Sequence, residues 1–292
     1  MRRCAFLSTD NLEDFFIYDE LTYPHFAELG WAVDAVPWRA SVDWSQYELV
    51  VVRSPWDYQQ EPERFLEVLA DIDRQTLLMN GLDVIRWNVR KDYLKDLRDR
   101  GVVIVPTLFR GAGAPLEVGF FEALGTEKIV VKPQVSANAD DTHVLDAARL
   151  AAERSHLDAV FGARPYLVQP FMPAVVDEGE FSLFFFGGEY SHTVQKTPKS
   201  GDFRVQEEHG GHIRGVEPPP GTVDIAGRVI RAVGHGLLYA RVDLIRDAAA
   251  PEAERWRLME IELIEPSLYF SYGEGSAEHF TRATIAAAAA AR

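Results

Sequence analysis

The first third of the chain alternates short apolar runs with segments of helical periodicity. Strands are predicted at three apolar stretches: residues 2–9, 31–38 and 47–58. Helices are predicted over residues 17–30, ending at Gly30, and 62–74, with Pro62 in the first turn. Strands alternating with helices are typical of an open parallel sheet. Residues 1 to about 85 are therefore predicted to form an α/β domain, whose ligands bind beyond the carboxyl ends of the strands.

From residue 89 onward the pattern changes from alternating elements to longer strands in hairpins. A helix is predicted over 89–101, ended by Gly101, and another over about 146–161. Shorter strands are predicted at 102–109, 127–134 and 165–172. Two hairpins are predicted, at 179–196 and 239–266, with a polar loop at 197–215 and a helix around 225–237 between them. The fold class is therefore parallel α/β followed by α+β.

Composition and charge narrow the class of protein. Apolar residues make up 47% and charged residues 26% of the 292 residues, which is ordinary for a globular protein. The net charge of −15 argues against nonspecific binding to nucleic acid or to an anionic membrane. Cys4 is the one cysteine, which suits a reducing cytoplasm, and no apolar run approaches the ~20 residues that span a bilayer. The first ten residues do not resemble a secretory signal.

Carboxylates interrupt the last predicted strand, which reads RLMEIELIEP over residues 257–266. Glu260 and Glu262 lie on one face because side chains alternate along a strand. Asp243 lies on the hairpin partner, where same-face residues come within about 5 Å. Three hard oxygen ligands without His or Cys favour Mg²⁺ or Mn²⁺. The alternative is a solvated sheet face, and Glu265, on the other face, is left as a loop or substrate-side residue.

Two segments carry candidate anion-binding groups. Lys132 ends the strand IVVKP, where it is either a phosphate ligand or a surface charge. The segment 134–142 is a run of small and polar residues. It is either a loop whose backbone amides bind phosphate or a plain surface loop. The segment 192–211 gathers Lys196, Lys199 and Arg204 in an acidic chain, either as an anion clamp or as a mobile surface loop.

In order, these motifs resemble the ATP-grasp superfamily, most closely its glutathione-synthetase-like branch. The resemblance rests on Lys91 on its helix, VVKP, VQPFM, GEFSLFFFGGEYSH, KTPKSGDFRVQEEHGG, RVDLI and EIELIEP. The stretch from Lys196 to Gly211 is similar to that branch's R-x-P-x-x-G-E-x-R…G-G pattern. Two departures stand out: Glu262 occupies the usual Asn position of the metal motif, and the phosphate loop is poor in glycine.

The resemblance implies an ATP-grasp fold with an N-terminal open parallel (pre-ATP-grasp) domain, and it implies roles for particular residues. The implied units are 1–88, 89–175 and 176–292. The implied ATP-binding residues are Lys91, Lys132, Gln169, Phe171, Met172, Asp177, Glu180 and Met259. Lys196 and Arg204 are implied at the transferred phosphoryl group and the substrate carboxylate. Asp243, Glu260 and Glu262 are implied as ligands of Mg²⁺ or Mn²⁺. The implied substrate-side residues are Arg53, Ser54, Asp57 and Ser267, while Trp56 and Tyr58 either pack or contact substrate.

The implied activity is that of an ATP-dependent carboxylate–amine ligase acting through an acyl phosphate on a small-molecule carboxylate. The motifs R-S-P-W-D-Y and E-x-E-x-x-E-P-S are similar to those of ligases that close the ring of cycloserine from O-ureido-serine. The alternatives are a ligase that modifies a peptide or protein carboxylate, and a non-catalytic nucleotide-binding regulatory module. Dimers are common in such ligases, so a homodimer is compatible with the resemblance.

Overall fold

The N-terminal part of the protein is a parallel α/β unit, as the apolar pattern predicts. The computed structural model describes residues 1–13 and 15–291. Four parallel strands form the first sheet: β1 Arg2–Ser8, β2 Trp31–Pro37, β3 Leu49–Ser54 and β4 Leu77–Met79. Their order is β2-β1-β3-β4, and two helices accompany them: α1 Tyr23–Glu28 and α2 Pro62–Gln75. The apolar spacing of α2 buries Phe65, Leu69 and Ile72 against this sheet.

The middle of the chain contributes a second, antiparallel sheet. Two helices lead into it: α3 Leu82–Asn88 and α4 Tyr93–Asp99. Its strands, in the order β5-β8-β6-β7, are β5 Leu108–Arg110, β6 Ile129–Pro133, β7 His143–Leu145 and β8 Tyr166–Pro170. Three helices connect them: α5 Gly119–Leu124, α6 Ala147–Ala152 and α7 Arg154–Phe161. The helix predicted over 146–161 is thus two helices, and the short strand region predicted at 102–109 yields only β5.

Lys91 is not on a helix, contrary to the prediction. It lies in the turn between α3 and α4, where its backbone N–H donates to the carbonyl of Gln134 (2.8 Å). That hydrogen bond ties the turn to the end of β6 instead of continuing a helix, so α4 begins only at Tyr93.

The C-terminal part forms a five-stranded antiparallel sheet in the order β11-β10-β9-β12-β13. Its strands are β9 Glu180–Phe186, β10 Glu189–Thr197, β11 His212–Gly215, β12 Tyr239–Arg246 and β13 Trp256–Glu262. Its helices are α8 Ala174–Asp177, α9 Thr222–Val233 and α10 Ser276–Ala290. Both predicted hairpins are present, and the first turns at Gly187 and Gly188, whose φ values are +58° and +86°. The predicted loop 197–215 is shorter, because its last residues pair with β10 as β11.

The five-stranded sheet is covered on both faces, which positions the segments around it. On one face Val84, Leu94 and Val229 from α3, α4 and α9 pack against the sheet. On the other face, Phe184 and Phe186 pack with side chains of the first sheet and of α10. The proposed boundaries at 88 and 175 fall between sheets, although α3 and α4 pack on the C-terminal sheet. Within the described ranges, no helix is long and apolar enough to cross a membrane.

Candidate active site

A single cleft collects most of the residues predicted to carry chemistry. It is lined by strand ends of the second and third sheets and, at one end, by Trp56 and Tyr58 of the N-terminal unit. The predicted residues that line it are Lys91, Lys132, Gln169, Phe171, Met172, Glu180, Lys196, Arg204, Asp243, Met259, Glu260, Glu262 and Ser267. Most of the predicted site residues therefore lie in one cleft.

A row of charged side chains crosses the third sheet because strand register places them side by side. Lys196 of β10 is opposite Glu180 of β9, and Asp243 of β12 lies between Ser182 of β9 and Glu260 of β13. The Nζ atom of Lys196 is 2.5 Å from Glu180 Oε1, and the Ser182 hydroxyl donates to Asp243 Oδ1 (2.5 Å). The predicted juxtaposition of Asp243 and Glu260 across the hairpin is therefore confirmed.

Arg241 is a cleft residue that the sequence reasoning missed. It precedes Asp243 by two residues on β12 and so shares its face. Its guanidinium donates to both oxygens of Asp243 (2.9–3.2 Å) and to Glu262. The sequence ARVDLI indicates this contact, because an arginine two residues before a buried aspartate on one strand lies on the same face and can act as its counterion.

Counterions decide the charge state of the two carboxyls nearest the centre. Burial alone would raise the pKa of Glu260, but Lys91 (2.7 Å) and Lys132 outweigh burial and lower it. Burial likewise opposes ionisation of Asp243, and Arg241 with Lys196 still holds its pKa below the usual value. Both groups are therefore carboxylates at neutral pH.

Glu262 is different because burial, together with the neighbouring acids, outweighs the effect of Arg241 on its pKa. Burial raises its pKa to about 8, and the neighbouring acids Asp243, Glu260 and Glu265 add to this against the effect of Arg241. A cation bound beside it would restore the charged form. A neutral Asn, the usual residue of the related motif at this position, would not add this negative charge, whereas Glu262 does.

The donor set of Asp243, Glu260 and Glu262 fits a hard divalent cation in its chemistry, since all its ligand atoms are carboxylate oxygens. In residues 1–13 and 15–291, no three His, Cys, Asp or Glu side chains are already grouped closely enough to hold a metal. Arg241 and Lys91 instead contact these oxygens. A metal at this place would have to take over oxygens that the two cations now contact.

The end of the cleft near the second sheet combines apolar walls with cations. Met172 and Met259 belong to a small apolar cluster with Val105, and both methionines line the cleft. Lys91 Nζ also donates to the carbonyl of Ser136 (3.0 Å), in the loop that was predicted to cradle phosphates. Burial lowers the pKa of Lys132, so an anion there would favour its charged form.

The strand end at Gln169 is partly used by internal hydrogen bonds. Its side-chain amide donates to the hydroxyl of Thr107 (3.0 Å), and the N–H of Phe171 donates to the carbonyl of Lys128 (2.9 Å). The N–H of Phe171 is therefore already engaged, and hydrogen bonds from this stretch to a nucleotide base would have to come from its other backbone groups.

Four predicted residues are not brought to the cleft. Arg53 is buried and donates to Asp19 (2.9 and 3.0 Å) and to the carbonyl of Pro266 (3.2 Å). Ser54 is buried and its carbonyl accepts from the N–H of Thr9. Asp57 accepts from Trp38 Nε1 (2.8 Å) and pairs with Arg39, while Asp177 lines a separate hollow with Arg214. Internal partners outside the first sheet engage Arg53 and Asp57, and Trp56 and Tyr58 line the cleft instead.

The chain that follows β13 is held in place by buried side chains. Asn88 accepts from the N–H of Leu263 and donates to the carbonyl of Ile261 (both 3.0 Å). The hydroxyl of Tyr239 donates to the carbonyl of Ile264 (2.7 Å), and Trp56 Nε1 donates to that of Glu265 (2.8 Å). Polar contacts thus replace sheet pairing where the motif E-L-I-E-P-S enters the cleft.

The loop between β10 and β11 is fastened over the cleft at two points. Glu207 accepts from the hydroxyls of Tyr18 (2.8 Å) and Tyr272 (3.3 Å). His209 Nε2 lies 3.0 Å from the carbonyl of Asn138, which belongs to the loop on the opposite side. Arg204, within this loop, lines the cleft and pairs with Asp202 (2.8 Å). The two loops therefore meet above the charged row.

Known proteins resemble this chain over nearly its full length. The family described as the N-terminal domain of the D-cycloserine synthetase DcsG matches residues 4–80. The cycloserine biosynthesis protein DcsG of Streptomyces lavendulae is 30% identical over 278 residues, covering 87% of this chain and 88% of that protein. The crystal structure of D-cycloserine synthetase DcsG superposes with a TM-score of 0.85 at 26% identity, covering 98% and 99% of the two chains.

A more distant solved structure extends the likeness at the level of fold. The ATP-grasp ligase PsnB, complexed with a minimal precursor, Mg and ADP, has a TM-score of 0.64 at 15% identity and covers 98% of both chains. The predicted ATP-grasp fold with its N-terminal parallel domain is thereby confirmed. A ligase of this fold holds Mg and ADP.

Proposed function

This chain belongs to the D-cycloserine synthetase family of ATP-grasp ligases, and on that premise we propose that it cyclises an O-ureido-serine type amino acid, with ATP and Mg²⁺, to cycloserine or a close analogue. One observation carries the proposal. Cations and carboxylates from the second and third structural units converge on one cleft, beneath two loops that contact each other, and the N-terminal unit adds Trp56 and Tyr58 to its wall.

The chemistry proposed is transfer of the ATP γ-phosphoryl group to the substrate carboxylate, followed by attack of nitrogen on the acyl carbon. The first step breaks the terminal phosphoanhydride bond and releases ADP. The second forms the carbon–nitrogen bond, breaks the acyl carbon–oxygen bond and releases phosphate, while the nitrogen loses a proton. The carbamoyl group still attached to that nitrogen is then removed by water, which breaks the carbamoyl carbon–nitrogen bond and yields carbamate (carbon dioxide and ammonia) together with cycloserine. Most of the protein's contribution to such transfers is positioning and charge stabilisation.

The residues on the cleft wall divide this work. Lys91 and Lys132 lie beside the loop 134–142 and would neutralise phosphate oxygens. Lys196 and Arg204 would meet the transferred group and the substrate carboxylate. Met172 and Met259 would pack against the base. The contact between His209 and Asn138 would keep water from the acyl phosphate.

Asp243, Glu260 and Glu262 would hold Mg²⁺. When bound, that ion neutralises phosphate charge and orients the oxygens of the transferred group. Lys91 and Arg241 would then release carboxylate oxygens and become available to anionic ligands.

The alternative of a peptide or protein carboxylate gains no support from the likeness to PsnB, because 15% identity establishes the fold alone. The non-catalytic alternative is disfavoured by the family and by the full complement of cations and carboxylates in the cleft. We also propose a cytoplasmic location and a homodimer, neither of which the cleft requires.

Phosphate and ADP release tests the proposal. The protein with ATP and Mg²⁺ should release ADP when O-ureido-D-serine is added, and a cyclic product should form in equal amount. D-alanine and a carboxyl-bearing peptide serve as comparison substrates. Release that is stimulated by the peptide but not by the ureido acid would overturn the assignment.

A further inference from the structure

Five acidic side chains line the inner cleft, and they differ in their partners. Four of them have a lysine or arginine nitrogen within 4 Å: Glu180, Asp243, Glu260 and Glu262. The fifth, Glu265, has no such cation among the residues that the structure describes. A carboxyl in a cleft without a paired cation is costly unless a ligand supplies the charge.

The position of Glu265 is fixed by the structure around it. Its carbonyl accepts from Trp56 Nε1 (2.8 Å), and the carbonyl of Pro266, the next residue, accepts from Arg53 (3.2 Å). The hydroxyl of Tyr58 interacts with the carboxyl group and lowers its pKa against the effect of burial. The two backbone bonds fix the main chain at this residue, and Tyr58 is a partner of the carboxyl itself, as a recognition group requires.

Glu265 also shares the cleft wall with residues of the N-terminal unit. Trp56 donates to its carbonyl, and Tyr58 and Ser267 line the same cleft, whereas Met172 and Met259 pack in an apolar cluster with Val105. Lys196 and Asp243 of the charged row line this cleft from the third sheet. A small molecule between Glu265 and this row would have its own carboxylate near the cations.

We propose that Glu265 binds the α-ammonium group of the amino-acid substrate and is the residue by which the enzyme prefers amino acids over other carboxylic acids. This rests on the proposed function, because it takes the cleft to hold a small carboxylic acid. Lys91 and Arg241 do not form an ion pair with Glu265, since their nitrogens contact Glu260, Asp243 and Glu262. An ammonium is the complementary partner, with three N–H donors for a carboxylate held on one side by Tyr58.

The test compares O-ureido-serine with its des-amino counterpart, 3-(ureidooxy)propanoic acid, in wild-type protein and in Glu265→Gln. Wild type should prefer the amino acid in kcat/KM by about 100-fold, the scale of a lost buried charge pair. Glu265→Gln should reduce this preference to within about fivefold, chiefly through KM, and leave the KM for ATP unchanged. Glu265→Asp, which keeps the charge, should retain a clear preference.

Glu208→Gln is the matched control, because Glu208 is an exposed carboxylate at the rim of the same cleft. It should keep the wild-type preference. The proposal is overturned if Glu265→Gln still discriminates as wild type does, or if it changes only the Mg²⁺ concentration needed, which would make Glu265 a metal-side residue.

A second readout separates this proposal from the proposed function. If wild type releases no ADP with any carboxylic acid, the proposed function fails, and calorimetric titration of the two acids then decides the inference. Binding of the amino acid that is about 100-fold tighter than that of the des-amino acid, and lost in Glu265→Gln, supports it. Equal binding of both acids to wild type contradicts it.

Discussion

At the scale of single side chains, the cleft is a set of buried charges that compensate one another imperfectly. Arg241 forms ion pairs with both Asp243 and Glu262, so one cation is shared between two carboxyls. Lys91 forms an ion pair with Glu260. Two acids are left without sufficient compensation. Burial raises the pKa of Glu262 to about 8 and the pKa of Glu265 to about 7. A site with this surplus is prepared for cationic ligands.

Glu262→Gln should separate stability from activity. Removing a carboxyl that is costly to ionise in the fold should leave the free energy of unfolding equal to or above that of wild type. Replacing a carboxylate ligand by a neutral amide, which keeps one oxygen but removes the negative charge, should lower Mg²⁺-dependent turnover by about 100-fold. Chemical denaturation and ADP release measure the two effects.

The control is Glu254→Gln at the exposed tip of the β12–β13 hairpin, which should change neither quantity. Wild-type turnover in Glu262→Gln would remove Glu262 from the metal site.

His192 should make the fold sensitive to acid. It is buried, stacks on Phe184 with ring centroids 4.4 Å apart, and burial lowers its pKa from 6.5 to about 4. Between pH 6.5 and about 4, the imidazole therefore binds a proton in the unfolded chain but not in the folded protein. The free energy of unfolding consequently falls as the pH drops through this range. The loss should reach up to about 3 kcal/mol by pH 4.

Urea unfolding at a series of pH values measures this effect. His192→Gln should show a correspondingly weaker pH dependence than wild type, and His235→Gln, at an exposed position, should follow wild type. Parallel profiles for wild type and His192→Gln would contradict the assignment.

At the scale of elements, the decisive feature is the segment that leaves β13. It carries Glu262, Glu265 and Ser267 into the cleft with its backbone bonded to side chains instead of a neighbouring strand. Such a segment is rigid only while those side chains are present.

Asn88→Ala should therefore destabilise the protein strongly. It leaves the N–H of Leu263 and the carbonyl of Ile261 buried without these partners, which costs about 2–4 kcal/mol. Asn11→Ala, in an exposed turn, should stay within about 0.5 kcal/mol of wild type. A loss in Asn88→Ala no larger than that of this control would show that the segment has other support.

The loop between β10 and β11 is the second such element. Removing both hydroxyls that hold Glu207, in Tyr18→Phe with Tyr272→Phe, should loosen the cover of the cleft. Water would then reach the acyl phosphate, so more ADP would be released per product formed, by about threefold or more if each lost bond is worth about 1 kcal/mol.

The ratio of ADP to cyclic product measures this leakage. Tyr190→Phe is the control, because that hydroxyl bonds Thr193 and does not line the cleft. An unchanged ratio in the double variant would mean that closure does not depend on Glu207.

At the scale of the whole molecule, periodicity and motif order were enough to predict the architecture. Apolar alternation located both hairpins, and the register of β12 with β13 brought Asp243 opposite Glu260 as predicted. Local pattern was insufficient where long-range bonds decide. Arg53 reads as a strand-end cation but is buried against Asp19, and Lys91 reads as helical but is held by Gln134.

Two cleft residues show how far local spacing reaches. Spacing places Arg241 on the same strand face as Asp243, but its second partner, Glu262, lies on β13. Glu265 differs from the other acids of the inner cleft because no lysine or arginine nitrogen of the described residues lies within 4 Å of it. Contacts between side chains that are distant in sequence depend on tertiary structure, so single-sequence spacing does not encode them.

Transfer of oxygen from substrate to phosphate tests the central claim most directly. O-ureido-D-serine labelled with ¹⁸O at both carboxylate oxygens is incubated with ATP, Mg²⁺ and the protein, and the released phosphate is analysed by mass spectrometry. An acyl-phosphate ligase must release phosphate carrying one ¹⁸O atom for each ring formed, because the acyl carbon–oxygen bond breaks in the second step. Unlabelled phosphate, or ¹⁸O appearing in AMP, would contradict the account.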